Sequence, residues 1–94
     1  MSPSHERLHA IVSGLVQGVN YRSNARSQAL MRGLAGWVRN QADGSVEVVA
    51  EGPREVLADF LHYLRQGPRA AIVEDVRETW GPATGEFRQF EIRQ

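Results

Sequence analysis

The period of the apolar positions switches repeatedly between two and about 3.6 residues along the chain, and each switch marks an element. Leu8, Ala10 and Val12 alternate with His9, Ile11 and Ser13, which predicts a strand ended by Gly14. From about Tyr21 to Arg32, Ala25, Ala29 and Leu30 or Arg32 fall at helical spacing, a weakly amphipathic pattern stopped by Gly33. Leu34 to Asn40 reads as a second strand. Asp43-Gly44 is a hairpin signal leading into Val46, Val48 and Ala50, which alternate with Glu47, Val49 and Glu51. Gly52-Pro53 punctuates next, with Pro53 suited to the first turn of a helix and Glu55 to its positive end. Val56, Leu57, Phe60, Leu61 and Leu64 then form the strongest amphipathic stripe, ended by Gly67-Pro68. Val73 to Trp80 predicts a fourth strand, and the three-residue step from Val73 to Val76 breaks its alternation as a bulge would. Pro82 to Gly85 reads as a loop, and Phe90 with Ile92 as a short terminal strand.

The order β, α, β, β, α, β, with a small extra strand, predicts an α+β fold. Two helices with one apolar stripe each cover one face of a four-stranded antiparallel sheet, the ferredoxin-like sandwich, with the core between the layers. Ninety-four residues form one domain, 1–94, without linker or repeat. A chain of this size buries roughly 60 to 65% of its unfolded surface.

Composition narrows the chemistry. Hydrophobic content of 41% and charged content of 23% are those of a folded soluble chain. Formal net charge is zero, which argues against nucleic acid or an anionic membrane as the main partner. All eleven basic residues are arginines, so a Walker-type phosphate loop and Schiff-base chemistry are excluded for want of a lysine. With no cysteine there is neither a disulfide nor a thiol nucleophile. Met1 to Glu6 are polar and offer no apolar export or membrane segment, so we expect a cytoplasmic protein.

Two stretches carry the chemical signal. Val12 to Arg22, V-S-G-L-V-Q-G-V-N-Y-R, reads as a strand running into a glycine-bounded turn and then a helix start. The amides of such a turn and of the helix N-terminus carry partial positive charge and suit a phosphate. The expected cradle is the backbone of Leu15, Val16, Gln17, Gly18, Val19, Asn20 and Tyr21, with Arg22 adding a planar cation that grips two phosphate oxygens. Gly36 to Gly52, G-W-V-R-N-Q-A-D-G-S-V-E-V-V-A-E-G, places Asn40 near a strand end, where its amide can accept from a water and orient it.

Together these stretches resemble the two signatures of the acylphosphatase family. Val12, Gly14, Val16, Gln17, Gly18, Val19, Tyr21 and Arg22 match the first pattern, and Gly36, Trp37, Val38, Arg39, Asn40, Gly44, Val46 and Gly52 the second. The similarity in spacing runs from the first strand to the second helix. Beyond Gly67 it is carried only by the strand pattern and Phe90-Glu91-Ile92. The resemblance implies hydrolysis of the carboxyl-phosphate bond of a small acyl phosphate to a carboxylate and inorganic phosphate, with no metal and no cofactor. It also implies that Asn40 positions the attacking water. We expect a monomer.

Each feature has a plainer reading. Gly14 and Gly18 could serve only a tight turn, Arg22 solvation, and Asn40 the turn before Asp43-Gly44. Trp37 and Trp80 suit packing. His5, His9 and His62 fall on separate elements and do not suggest a metal site, and Glu74-Asp75 reads as solvated edge charge. Two other functions compete: a phosphate- or carbamoyl-phosphate-binding module without turnover, and an RNA reader of similar topology. The RNA reading wants exposed aromatics on a basic sheet face, and His9, Ile11, Glu47, Val49 and Glu51 do not supply one.

Overall fold

Alternation at Leu8, Ala10 and Val12 puts these side chains on one face of strand β1, His5–Leu15, and all three are fully buried there. The computed structural model describes residues 5–94, and the polar opening Met1 to Ser4 lies outside them. The other elements are α1 (Tyr21–Met31), β2 (Ala35–Asn40), β3 (Val46–Pro53), α2 (Arg54–Gln66), β4 (Ile72–Pro82) and β5 (Phe90–Arg93). The strands form one sheet in the order β4-β1-β3-β2-β5. Neighbours among the first four are antiparallel, while β5 runs parallel to β2. The sheet is therefore five-stranded and mixed, an extension of the expected four antiparallel strands by the terminal segment. The parallel pair β2 and β5 is connected only through β3, α2 and β4, a pairing between distant segments that an alternation pattern cannot foresee.

Helix α2 buries Leu57, Phe60, Leu61 and Leu64 over β1, β3 and β4, and α1 covers β2 and β5. The buried stripe of α1 is Tyr21, Ala25 and Ala29, one residue per turn. Leu30 is 44% exposed and Arg32 lies beyond the helix, so neither belongs to that stripe. Small alanines let α1 approach the sheet closely, and Phe60 of α2 meets Phe90 of β5 edge-on at 6.0 Å. Pro53 sits just outside α2 at its N-cap position rather than in its first turn.

Gly14 does not end β1. It stays in the strand at φ 125°, opposite the bulge that the spacing of Val73 and Val76 suggests: Ser13 pairs with Asp75 and Gly14 with Val73, leaving Glu74 as the extra residue. A Cβ on Gly14 would fall 2.2 Å from the Ile72 carbonyl oxygen. His5 and His9 share β1, contrary to the expectation that the three histidines lie on separate elements.

The face of the sheet away from the helices is a mosaic of paired charges. Glu47 accepts from His9 Nε2 and Arg39 Nε, both at 2.7 Å. Glu51, only 7% exposed, ties the loop between β4 and β5 to the sheet. Its carboxylate accepts from Arg7 Nε at 2.8 Å and from the Thr84 and Gly85 backbone N–H groups at 2.9 and 3.0 Å. Desolvation opposes ionisation of Glu51, but the Thr84 amide, Arg7 and the Gly85 amide outweigh it and hold the carboxyl below its ordinary value of 4.5.

The Tyr21 hydroxyl, buried, donates to the Leu64 carbonyl of α2 at 2.7 Å. That carbonyl needs a donor, because the residue four positions on is Pro68, which has no N–H. Burial pushes the Tyr21 phenol well above its usual range, so it stays a donor at any ordinary pH. Tyr21→Phe would orphan the carbonyl, and thermal unfolding should show a loss of about 1–3 kcal/mol. A second expectation concerns acid. Because the folded pKa of Glu51 is depressed, its contribution is complete above the unfolded value of 4.5 and is lost as pH falls through the folded one. The unfolding temperature should therefore drop on acidification below about pH 4.5, and Glu51→Gln should lower it at neutral pH while flattening that acid limb.

Candidate active site

Between the end of β1 and the start of α1, residues 16–20 must reverse the chain within five positions. Gly18 does so at φ 76° and Asn20 at φ 62°, with Val19 between them outside the positive-φ region. Asparagine is one of the few side-chain-bearing residues that enters the left-handed region at modest cost. Alternation of hand over consecutive residues turns successive N–H groups toward one concave point. Asn20 is the N-cap of α1 yet caps with no side-chain bond. Its carbonyl instead accepts from the Asn24 amide at 3.1 Å and the Asn24 side chain at 2.8 Å. Among the described residues, the N–H groups of Gln17 to Ser23 meet no turn or cap acceptor. They are free to face an anion, as the first amides of a helix do.

A cavity of about 280 Å³ opens at this corner. Val16, Gly18, Asn20 and Tyr21 line it from the loop, Arg22 and Ser23 from the first turn of α1, and Asn40 and Ile92 from the adjoining strands. No carboxylate is among these residues, so nothing in the wall opposes an anion. Arg22 forms no ion pair and no hydrogen bond among the described residues, whereas Arg7, Arg32, Arg39, Arg54, Arg65 and Arg93 are each paired with an acid. Asn40, the last residue of β2, pairs with Val46 across the hairpin. Its Oδ1 is buried and has no hydrogen-bond partner among the described residues. Leaving such an atom unmatched costs about 1–3 kcal/mol, so a native chain that keeps one has a use for it.

The two expected side chains, Arg22 and Asn40, are thus brought to one cavity from segments that are remote in sequence. A family model for Acylphosphatase matches residues 8–92. The chain belongs to the acylphosphatase family. It is 49% identical over 89 residues to an acylphosphatase of Pelotomaculum thermopropionicum, covering 95% of this chain and 97% of that one. With an acylphosphatase of Thermus thermophilus it shares 57% identity over 79 residues, or 84% and 90% of the two chains. A crystal structure of acylphosphatase from Bacillus subtilis superposes with a TM-score of 0.91 at 36% identity, covering 95% and 99% of the chains.

Not every expected cradle residue lines the cavity. Leu15 closes β1 opposite Ile72 with its side chain 54% exposed, and Val19 packs against the core. The Gln17 side chain turns to the β2–β3 hairpin, where it donates to Gln41 and Ser45 carbonyls. Any part that these three play toward a ligand falls to their backbone. Two wall residues, Ser23 and Ile92, escape a reading of the sequence. Alternation with Phe90 puts Ile92 on the helix side of β5, but only the parallel pairing of Ile92 with Val38 brings it within reach of Asn40. His9 and Glu47, the nearest approach to an acid–base pair, bond to each other on the opposite face of the sheet.

Proposed function

We propose that the chain hydrolyses small acyl phosphates, releasing a carboxylate and inorganic phosphate, with the phosphoryl group seated on the backbone of Leu15 to Tyr21 and on Arg22. One observation carries this reading: an unpaired guanidinium and an unpartnered buried carbonyl oxygen share a single cavity free of acids. Phosphoryl transfer asks little covalent work of a protein. It needs the group held, its charge balanced and the nucleophile in line. The amides and Arg22 hold and neutralise. Asn40 Oδ1 accepts one hydrogen of a water and so aims its lone pair at phosphorus. As the O–P bond forms, the P–O bond to the acyl oxygen breaks and its electron pair leaves with the carboxylate. A phosphate oxygen of the substrate takes the water proton, and a good leaving group makes a strong protein base unnecessary. No metal enters these steps.

A phosphate-binding module without turnover would gain nothing from an orphaned Asn40 oxygen, which disfavours that alternative. Nucleic acid is equally unsupported. Trp37 lies between Arg39 and Arg93 on the open sheet face, as a base-stacking platform would, but both arginines are committed to Glu47 and Glu91. The same reading makes the protein a one-domain cytoplasmic monomer over 1–94. In its support, the chain has no cysteine, and no helix among the described residues is long and apolar enough to cross a membrane.

Release of phosphate from benzoyl phosphate should be undiminished by a chelator. Charge-assisted hydrogen bonds are worth about 1.5–3 kcal/mol each, so Arg22→Ala should weaken competitive inhibition by phosphate by roughly tenfold or more. Asn40→Ala should instead lose on the order of 100-fold or more in kcat with phosphate inhibition kept. If Asn40→Ala turns over as fast as the parent, the water-positioning role is wrong.

A further inference from the structure

The cradle and Asn40 sit on segments that the backbone does not join directly, yet catalysis of the kind proposed above needs them fixed relative to each other. Gln17, in the middle of the cradle loop, makes the connection. Its Nε2 group donates to the Gln41 carbonyl and to the Ser45 carbonyl, both at 2.8 Å and across 24 and 28 residues of sequence. One amide nitrogen carries two hydrogens, and here each has its own acceptor. Among the described residues no other side-chain hydrogen bond joins the loop to the hairpin.

The carbonyls that Gln17 holds form the throat of the hairpin. Ser45 O also accepts from the Gln41 amide at 2.8 Å, and Gln41 O from the Gly44 amide at 3.1 Å. Inside the hairpin, Ser45 Oγ donates to Gln41 Oε1 at 2.7 Å and the Ser45 amide to Asp43 Oδ1 at 2.9 Å. These bonds make the turn move as a unit, and Asn40 is the residue directly before Gln41. We propose that the Gln17 side chain is a positioning residue for the reaction: it sets the spacing between the phosphate cradle and the water-orienting oxygen of Asn40. This role rests on the hydrolytic reading of the site. It also explains why glutamine suits the position. Glutamate would oppose two carbonyls with a carboxylate, methionine has the length but no donor, and asparagine is one methylene too short.

A double-mutant cycle on benzoyl phosphate hydrolysis tests it, with inhibition by inorganic phosphate measured alongside. Gln17→Met should lower kcat on the order of 10- to 100-fold, the scale of a small misplacement, while phosphate inhibition holds. In the Asn40→Ala background the same change should cost little more, because the group that it positions is gone. Full additivity, or a loss confined to KM and phosphate inhibition, overturns the role. Should Gln17→Met fail to fold, Gln17→Glu carries the test. Its kcat relative to the parent should rise as pH falls, since a protonated carboxyl donates to one carbonyl where the ionised form repels both; a pH-independent deficit overturns the proposal. An inactive parent would refute the hydrolytic reading and this role together, whereas an active parent with additive losses refutes this role alone.

Discussion

The bond from the buried Tyr21 hydroxyl to the Leu64 carbonyl is the constraint on which the cradle depends. Tyr21 is at once the first residue of α1 and a wall of the cavity, so whatever fixes it fixes the end of the loop and the direction of the free amides. Proline at position 68 removes the donor that Leu64 would otherwise have used, and the ring of Tyr21 fills the space that Gly67 leaves open, where a Cβ would lie 2.9 Å away. The end of one helix is thereby made to need the start of the other. Satisfying that carbonyl ties the start of α1 to the end of α2.

Charge is distributed so that this corner holds a free arginine and no carboxylate. Across the open face, arginines and glutamates satisfy one another, and stacked arginines shield Trp37 and Phe87. Such surface pairs add little stability singly. Arg22 is the one arginine that lines the cavity, and its free guanidinium adds there to a concave patch of backbone donors. A protein of zero net charge can then offer a locally positive site without attracting polyanions in general.

The site is costly to keep. Asn40 Oδ1 without a donor and a non-glycine residue in the left-handed region are each unfavourable in the free protein. An attacking water would satisfy the Asn40 oxygen. That is preorganisation: the penalties are met during folding, so little rearrangement is left for the moment of reaction. The β1–β4 bulge and the extensive sheet pairing supply the stiffness that tolerates it.

Much was legible in the sequence because the signals are local. Period-two and period-3.6 patterns depend only on side chains within one element, and they located the strands, the α2 stripe and the bulge. Arg22 and Asn40 could be named because each belongs to a spaced pattern whose physical sense, a phosphate turn and a strand-end amide, is local as well. The misreadings lie where packing decides. Gly14 reads as a stop until β4 is seen crowding it, Leu30 as core until the alanines draw α1 close, and the terminal strand as an appendage until it pairs parallel to β2. By itself, then, the sequence determined which elements form and which groups are chemically able. Tertiary structure alone decided that Ile92 walls the cavity, that Gln17 reaches the hairpin, and that Arg22 and Asn40 Oδ1 meet at that cavity without partners among the described residues. The physical reason is that hydrogen-bond satisfaction is settled between segments, and no stretch of chain carries its partner's position.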